Sequence, residues 1–489
     1  MSHYLDRRKR IKGTYIRNKN AFYKMHVRSR GIKDSSQASG GDRDFNMADT
    51  PTSPNGNKVA DVNMKNGLPY EKDKIITNKI GDISKSPSIS SQDSCTKLTI
   101  DKKNVDATCC TRDSSTLSVF KLAICFVCGI VFGLMFVYSR VFEPNTIRNQ
   151  MVFENFIMLK MFLSAVCAGQ IVFSVLSVLP ATKEVFQEAV IEYVACFNSK
   201  GILTSAVGAF VLGCGMTLSG ACPGMVLAQV GSWVPNSIFT LVGCLLGALT
   251  YGLVAPAIES KTKPKKKFKY QTLHQTLKWH YIAISLPMCV VLFAVVFILE
   301  YFWDYEKDIK NIGRTPPPYD NILTAIAWRP SVAGAIIGII QLPLVFTVHD
   351  TMGGSTSYVT VVSQWVVTKR LQEMFPYLAS KRCGLSNWWQ VVYVAGAILG
   401  AALASIASDT MKTSHGANLQ TALIGGVLMI WGARFAAGCT SGHGLSGMGL
   451  LAWLSFIAVP CMFAGGIMTG FSMQATGALD DYVSSTFDT

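Results

Sequence analysis

The sequence predicts an all-α polytopic membrane protein, with about nine transmembrane helices in two inverted repeats with short re-entrant loops, preceded by a disordered tail. Three observations carry that prediction. The 489 residues are 49% hydrophobic and only 15% charged, with a mean hydropathy of +0.31, which is too apolar for a soluble protein of this length. That average hides a split between a polar stretch, residues 1–116, and a series of long apolar runs from Leu117 to Phe471. Finally, two Cys-centred stretches within those runs align with one another without a gap. A soluble globular enzyme and a wholly disordered scaffold are both excluded. A disulfide scaffold is excluded too, because fourteen cysteines are sparse and most sit inside apolar runs.

Residues 1–116 are rich in Ser, Asp, Asn and Lys and carry no periodic apolar pattern. A stretch such as Ser84-Lys85-Ser86-Pro87-Ser88 cannot bury enough surface to offset the entropy of ordering, so the segment reads as a disordered basic tail. Arg7, Arg8, Lys9, Arg10 and Lys12 begin a run of positive charge opposed only by Asp6. Beside membrane spans such a run marks the cytoplasmic side and can touch anionic lipid. Without stacking aromatics or a groove-reading element it does not argue for nucleic acid. An Arg-rich, acid-poor start is also what a mitochondrial presequence has. The tail looks regulatory rather than cleaved, so the expected location is the plasma membrane with a cytoplasmic N-terminus. Any cytosolic partner of the tail is unidentified by the sequence.

A hydrocarbon core of about 30 Å needs roughly 20 apolar residues in a helix. Runs that satisfy this are 117–138, 152–179, 201–219, 235–258, 281–303, 327–345, 388–408, 418–437 and 451–472. They divide the chain into a first transmembrane repeat (117–258), a basic loop and linker helix (259–326), a second repeat (327–472) and a short tail (473–489). With the N-terminus inside, the Lys261–Lys269 cluster also falls inside, as do Lys369, Arg370, Lys381 and Arg382, provided residues 350–368 dip in and return. Asp480, Asp481 and Asp488 then lie outside.

The repetition is read from Gly208–Cys222 (GAFVLGCGMTLSGAC) set against Gly425–Cys439 (GGVLMIWGARFAAGC) at one constant offset. Gly208 meets Gly425, Gly215 meets Gly432, Cys222 meets Cys439 and Cys244 meets Cys461. Gly129 and Gly133 echo Gly334 and Gly338, each pair in small-xxx-small spacing. Four spans, one linker span and four more place the halves in opposite orientations, a plan whose solute site lies at the midplane between repeats.

Two loops break apolar helices with small and polar residues: Ser219-Gly220-Ala221-Cys222-Pro223-Gly224 and Gly438-Cys439-Thr440-Ser441-Gly442-His443-Gly444. Backbone that leaves a helix at membrane depth must be buried in protein or line a wet cavity. Exposed N–H groups and the positive end of a restarting helix make such a loop a nest for an anion. Helix kinks that only aid packing would look similar. Cys222 and Cys439 stand at these breaks, whereas Cys125, Cys128, Cys167, Cys214, Cys244, Cys289 and Cys461 sit in apolar runs and read as small hydrophobes. Neither loop has a CxxC pair, and His443 with two distant thiols falls short of a metal site. No cofactor is expected. Arg434, within an apolar run just before Cys439, and Lys160, within ENFIMLKMFLSAV, are costly to bury and so are candidate path residues, although Lys160 could instead snorkel. His349 and Asp350 precede a third small-polar break, Met352–Ser357.

GARFAAGCTSGHGLSG (Gly432 to Gly447) and GCGMTLSGACPG (Gly213 to Gly224) resemble the paired signatures of the YeeE/YedE sulphur-transport family, the bacterial thiosulfate permeases. PNTIRNQMVFENFIMLKMFL and MGGSTSYVT are similar to other parts of that family, and the likeness spans approximately residues 117–472. It implies an inverted-repeat core that admits thiosulfate, with cysteines at a pinched centre contacting the ion transiently, here at Cys222 and Cys439. Permeases of this kind carry a third cysteine after the first span in an Arg-Phe-Cys context, where this chain reads Arg140-Val141-Phe142.

The function expected is therefore a transporter, not an enzyme, taking up thiosulfate or a related small sulfur-containing anion through a cysteine-lined centre. Its expected partners are that anion and the lipid bilayer. The solute-binding candidates are Cys222, Cys439, Gly220, Gly224, Thr440, Ser441, His443, Arg434 and Lys160. The rivals are transport of another small anion, a membrane sulfurtransferase using a persulfide on Cys222 or Cys439, and a non-transporting receptor or scaffold that uses the tail.

Overall fold

Nine helices among the described residues are long and apolar enough to cross a bilayer. They are α1 (Ser115–Tyr138), α2 (Ile157–Val178), α3 (Ile202–Ser219), α4 (Ser237–Thr262), α5 (Tyr281–Phe302), α6 (Pro330–Val348), α7 (Leu385–Ala407), α8 (Leu419–Ala436) and α9 (Trp453–Ala475). Hydrocarbon offers no partner for a backbone N–H or C=O, so an apolar run that crosses must serve its own backbone as helix. The computed structural model describes residues 115–195, 200–262, 272–311 and 324–483, all within one compact unit, Pro87–Thr489. The unit Met1–Ser86 and the expectations made for the tail lie outside the described residues, as do Lys263–Lys269, Cys95, Cys109, Cys110 and Asp488.

α3 and α8 are 18 residues each. At 1.5 Å per residue they reach about 27 Å, slightly short of a ~30 Å core. Each is followed by a short helical segment, Met225–Gly231 after α3 and the π-helical Thr440–Gly447 after α8. Two more short helices, Pro144–Met151 and Ser355–Val362, sit between α1 and α2 and between α6 and α7. Eight residues of helix reach about 12 Å, so none of these crosses.

Small residues set the helix contacts. A Cβ placed on Gly215 of α3 would lie 2.4 Å from Met429 N and 2.7 Å from Gly425 O. One on Gly432 of α8 would lie 2.4 Å from Leu212 N and 2.7 Å from Gly208 O. Positions rise along α3 as they fall along α8, so the two helices run antiparallel with their backbones touching. Gly129 and Gly133 of α1 press on Tyr393 and Ala397 of α7, and Gly334 and Gly338 of α6 press on Met161 and Ala165 of α2, both pairs parallel. α8 packs on α4 as α3 packs on α9. Because α6 runs with α2 and α7 with α1, residues 349–384 begin and end on the face where α1 starts. α5, only 22% buried against 39–56% for the other spans, is a rim helix on α2. On the opposite face Gly416–Ala417 pairs antiparallel with Tyr482–Val483.

Candidate functional site

Several backbone groups freed at the break after α3 are served by named partners. Gly220 ends the helix at φ +61°, a left-handed cap that returns its N–H to Met216 and Thr217 carbonyls. A side chain there would meet Pro144 at 2.6 Å as well as the strained backbone. Arg148, fully buried, donates to the last carbonyls of α3, Thr217 O (3.3 Å) and Leu218 O (2.8 Å). Its guanidinium also lies 4.9 Å from the Tyr482 ring, whose phenol burial pushes up to about 12, keeping it neutral. Gln229 Nε2 donates to Gly220 O and to Phe142 O, both at 2.9 Å. The loop then places the Cys222 thiol within hydrogen-bonding reach of the Gly224 and Met225 N–H groups and of the Thr440 hydroxyl. That last contact joins the two cysteine loops.

The break after α8 is its counterpart. Ala437 caps the helix at φ +70°, and the Cys439 thiol lies 3.1 Å from Ser441 Oγ. It also reaches the N–H groups of Gly354 and Gly442 and the Ser355 hydroxyl. Arg434 holds the start of Ser355–Val362 through Ser355 Oγ (2.5 Å) and Thr356 Oγ1 (3.3 Å). The third loop is tied to the first by Tyr358, whose hydroxyl donates to Pro223 O at 2.6 Å. Three breaks, 219–224, 349–354 and 438–442, therefore meet near the middle of the bundle.

Beside the first and last of these breaks lies a cavity of about 50 Å³. Its walls are apolar: Phe132, Phe136 and Val141 from the end of α1 and its turn, Met158, Met161 and Phe162 from α2. Its polar side is Cys222, Gly224, Thr440 and Ser441. A space this small suits a compact ion rather than a drug-sized ligand, which needs roughly 300 Å³ or more. Val141 of the Arg140-Val141-Phe142 stretch is part of that wall.

Five of the sequence candidates thus converge around the cavity or its thiols: Cys222, Cys439, Gly224, Thr440 and Ser441. Gly220 shapes the turn, and Arg434 stands behind Cys439 through Ser355. His443 and Lys160 are used elsewhere. His443 donates from Nε2 to Ala436 O (3.1 Å) and accepts at Nδ1 from Ser455 (3.2 Å), pinning the π-helical turn to α9. Lys160, in the first turn of α2 beside Met158 and Met161, is turned instead to Asp308 Oδ2 (2.9 Å), Glu300 Oε2 (3.0 Å) and Trp303 O. The sequence reading missed Arg148, Gln229 and Tyr358. None of the three stands out in the sequence, because the carbonyls they serve are freed only once the helices break. Among the described residues no group of three His, Cys, Asp or Glu side chains is placed to hold a metal.

A family model described as Sulphur transport matches residues 138–468. The chain is 26% identical over 279 residues to a protein of Escherichia coli (strain K12) named thiosulfate transporter TsuA, covering 54% of this chain and 72% of that one. It is 25% identical over 354 residues to the thiosulfate transporter TsuA of Spirochaeta thermophila, covering 68% of this chain and 92% of the relative.

Proposed function

The chain belongs to the sulphur transport family, and from that membership we propose that it carries thiosulfate, or a closely related small sulfur-containing anion, through its narrow centre between Cys222 and Cys439. The observation that supports this most is the contact between Cys222 and Thr440, which sets both cysteine loops on one side of an ion-sized cavity. A bare dianion cannot enter hydrocarbon, since an unpaired charge costs tens of kcal/mol by a Born estimate. Here the thiols donate weak S–H hydrogen bonds to the terminal sulfur, while loop N–H groups, hydroxyls and helix ends, each worth about half a charge, meet the oxygens. Apolar walls keep water from competing. Weak thiol contacts suit conduction, where binding must also release.

The swapped helix pairing, α1 on α7 as α6 on α2 and α3 on α9 as α8 on α4, supports two repeats of opposite orientation with the solute at their interface. The face where α1 starts carries Lys261, Lys369, Arg370, Lys381 and Arg382, so it is the cytoplasmic face in this reading.

The test is uptake of isotopically labelled thiosulfate into proteoliposomes, with sulfate as competitor. Saturable uptake that sulfate barely inhibits and that Cys222→Ala/Cys439→Ala reduces by at least tenfold is expected; undiminished uptake in that variant overturns the thiol path. A stable mass gain on either cysteine after thiosulfate exposure would instead identify persulfide chemistry and a sulfurtransferase.

A further inference from the structure

The cavity wall has an equivalent in the other half of the molecule, and there it is polar. Gly129 abuts Tyr393 and Gly334 abuts Met161, while Gly133 abuts Ala397 and Gly338 abuts Ala165, so Tyr393 and Met161 hold matching places. One turn before them stand Gln390 and Met158; three residues after Gly338 and Gly133 stand Gln341 and Phe136. Thus three apolar lining residues of the cavity, Met161, Met158 and Phe136, correspond to Tyr393, Gln390 and Gln341. All three polar residues are at most 7% exposed. Tyr393 Oη, Gln390 Oε1 and Gln341 Nε2 are buried with no hydrogen-bond partner in the protein. Leaving such groups unserved costs about 1–3 kcal/mol each, so three of them on α6 and α7, with Gln341 Nε2 turned toward Gly169 of α2, point to something that serves them.

Their surroundings identify the place. Gln390 Nε2 lies 3.8 Å from a Cβ built on Gly353. Ser446 donates to Met352 O (2.8 Å) and to Gln341 Oε1 (3.3 Å), tying Gln341 to the same loop. The next residues, Gly354 and Ser355, reach the Cys439 thiol. Tyr393 stacks obliquely on Phe132 of the cavity wall, ring centres 5.5 Å apart.

We propose that Tyr393, Gln390 and Gln341, gathered around loop Met352–Ser355, form a second holding station for a small oxyanion, reached from the cavity past Cys439. This rests on the transport reading and extends it. A phenol and carboxamides are neutral hydrogen-bonding groups, so the station replaces part of the ion's hydration without trapping it as a fixed cation would. The path is then asymmetric, with a dry apolar chamber before the thiols and a polar one after them.

The test is equilibrium binding of labelled thiosulfate to the full chain in detergent, alongside uptake in proteoliposomes. Four proteins are compared: wild type, Cys222→Ala/Cys439→Ala, Tyr393→Phe/Gln390→Leu, and the combination. Thermal midpoints confirm folding, and Tyr393→Phe alone is the fallback where the double variant unfolds. The thiol-free variant is expected to keep weakened binding that the combination lowers at least fivefold further. The polar pair alone is expected to lower uptake at least tenfold while binding at the thiols persists. Binding that vanishes with the thiols, or is indifferent to the polar pair, overturns the station. If the wild type binds no thiosulfate, the transport reading fails, and the same panel with labelled sulfate decides the station: residual binding that the polar pair controls supports it, and its absence overturns it.

Discussion

Lys160 was a candidate for the path because an ammonium in an apolar run is expensive, and the structure shows where that expense is met. Asp308 and Glu300 hold it in the first turn of α2, with the Asp308 carboxylate also receiving Phe156 N–H (3.1 Å) and Trp303 Nε1–H (2.8 Å). Removing one member of a buried pair strands the other, so Lys160→Met is expected to cost about 3–5 kcal/mol. Lys160→Met/Asp308→Asn should recover most of that loss and restore uptake per folded molecule, measured by thermal unfolding and proteoliposome flux. A double variant that is stable yet transports nothing would return Lys160 to the path. The sequence made the charge legible and its partner illegible, because Asp308 lies in a polar stretch beyond α5 that looks like any loop. Arg148 and Gln229 were hidden for a related reason. Their role is to serve carbonyls freed at Gly220 and the end of α3, and such a need exists only once that break is formed.

Helix contacts were easier to read than side-chain partners. Glycines matched at one offset because the α3–α8 crossing demands them twice, once from each side, and a demand that repeats leaves a repeating pattern. Gly215→Val therefore drives a branched side chain into the backbone of Met429. We expect a loss of more than the ~1–3 kcal/mol typical of overpacking, seen as a lost or broadened monodisperse peak in detergent. Gly354→Ala, with nothing within 4 Å of its new methyl, is expected to keep the wild-type midpoint; equal damage from both would mean that the crossing does not govern stability. The re-entrant loop at 350–368 followed from charge bookkeeping, but the helix Pro144–Met151 did not, since its eight residues are largely polar and carry no apolar period. Gln341, Gln390 and Tyr393 were passed over because single polar residues in long spans are common and their lack of protein partners is a property of the fold.

At the scale of the molecule, the alternation of the nine spans among the described residues makes sidedness testable at exposed positions. Thr413, between α7 and α8, and Glu373, between α6 and α7, lie on opposite faces. In intact cells carrying the chain at the plasma membrane, Thr413→Cys is expected to react with a membrane-impermeant maleimide and Glu373→Cys only after permeabilisation; the reverse pattern would overturn a cytoplasmic N-terminus. The interleaved packing also governs how the chain is made. α1 finds its main neighbour in α7, and α3 finds its neighbours in α8 and α9, so the first four spans enter the bilayer with their glycine ridges facing lipid. The α3–α8 contact must wait for about two hundred further residues, roughly ten to forty seconds at ordinary rates of synthesis. During that interval the newborn half exposes grooves into which another newborn half could slot, which makes crowded ribosomes and strong overexpression the conditions under which this protein should assemble wrongly.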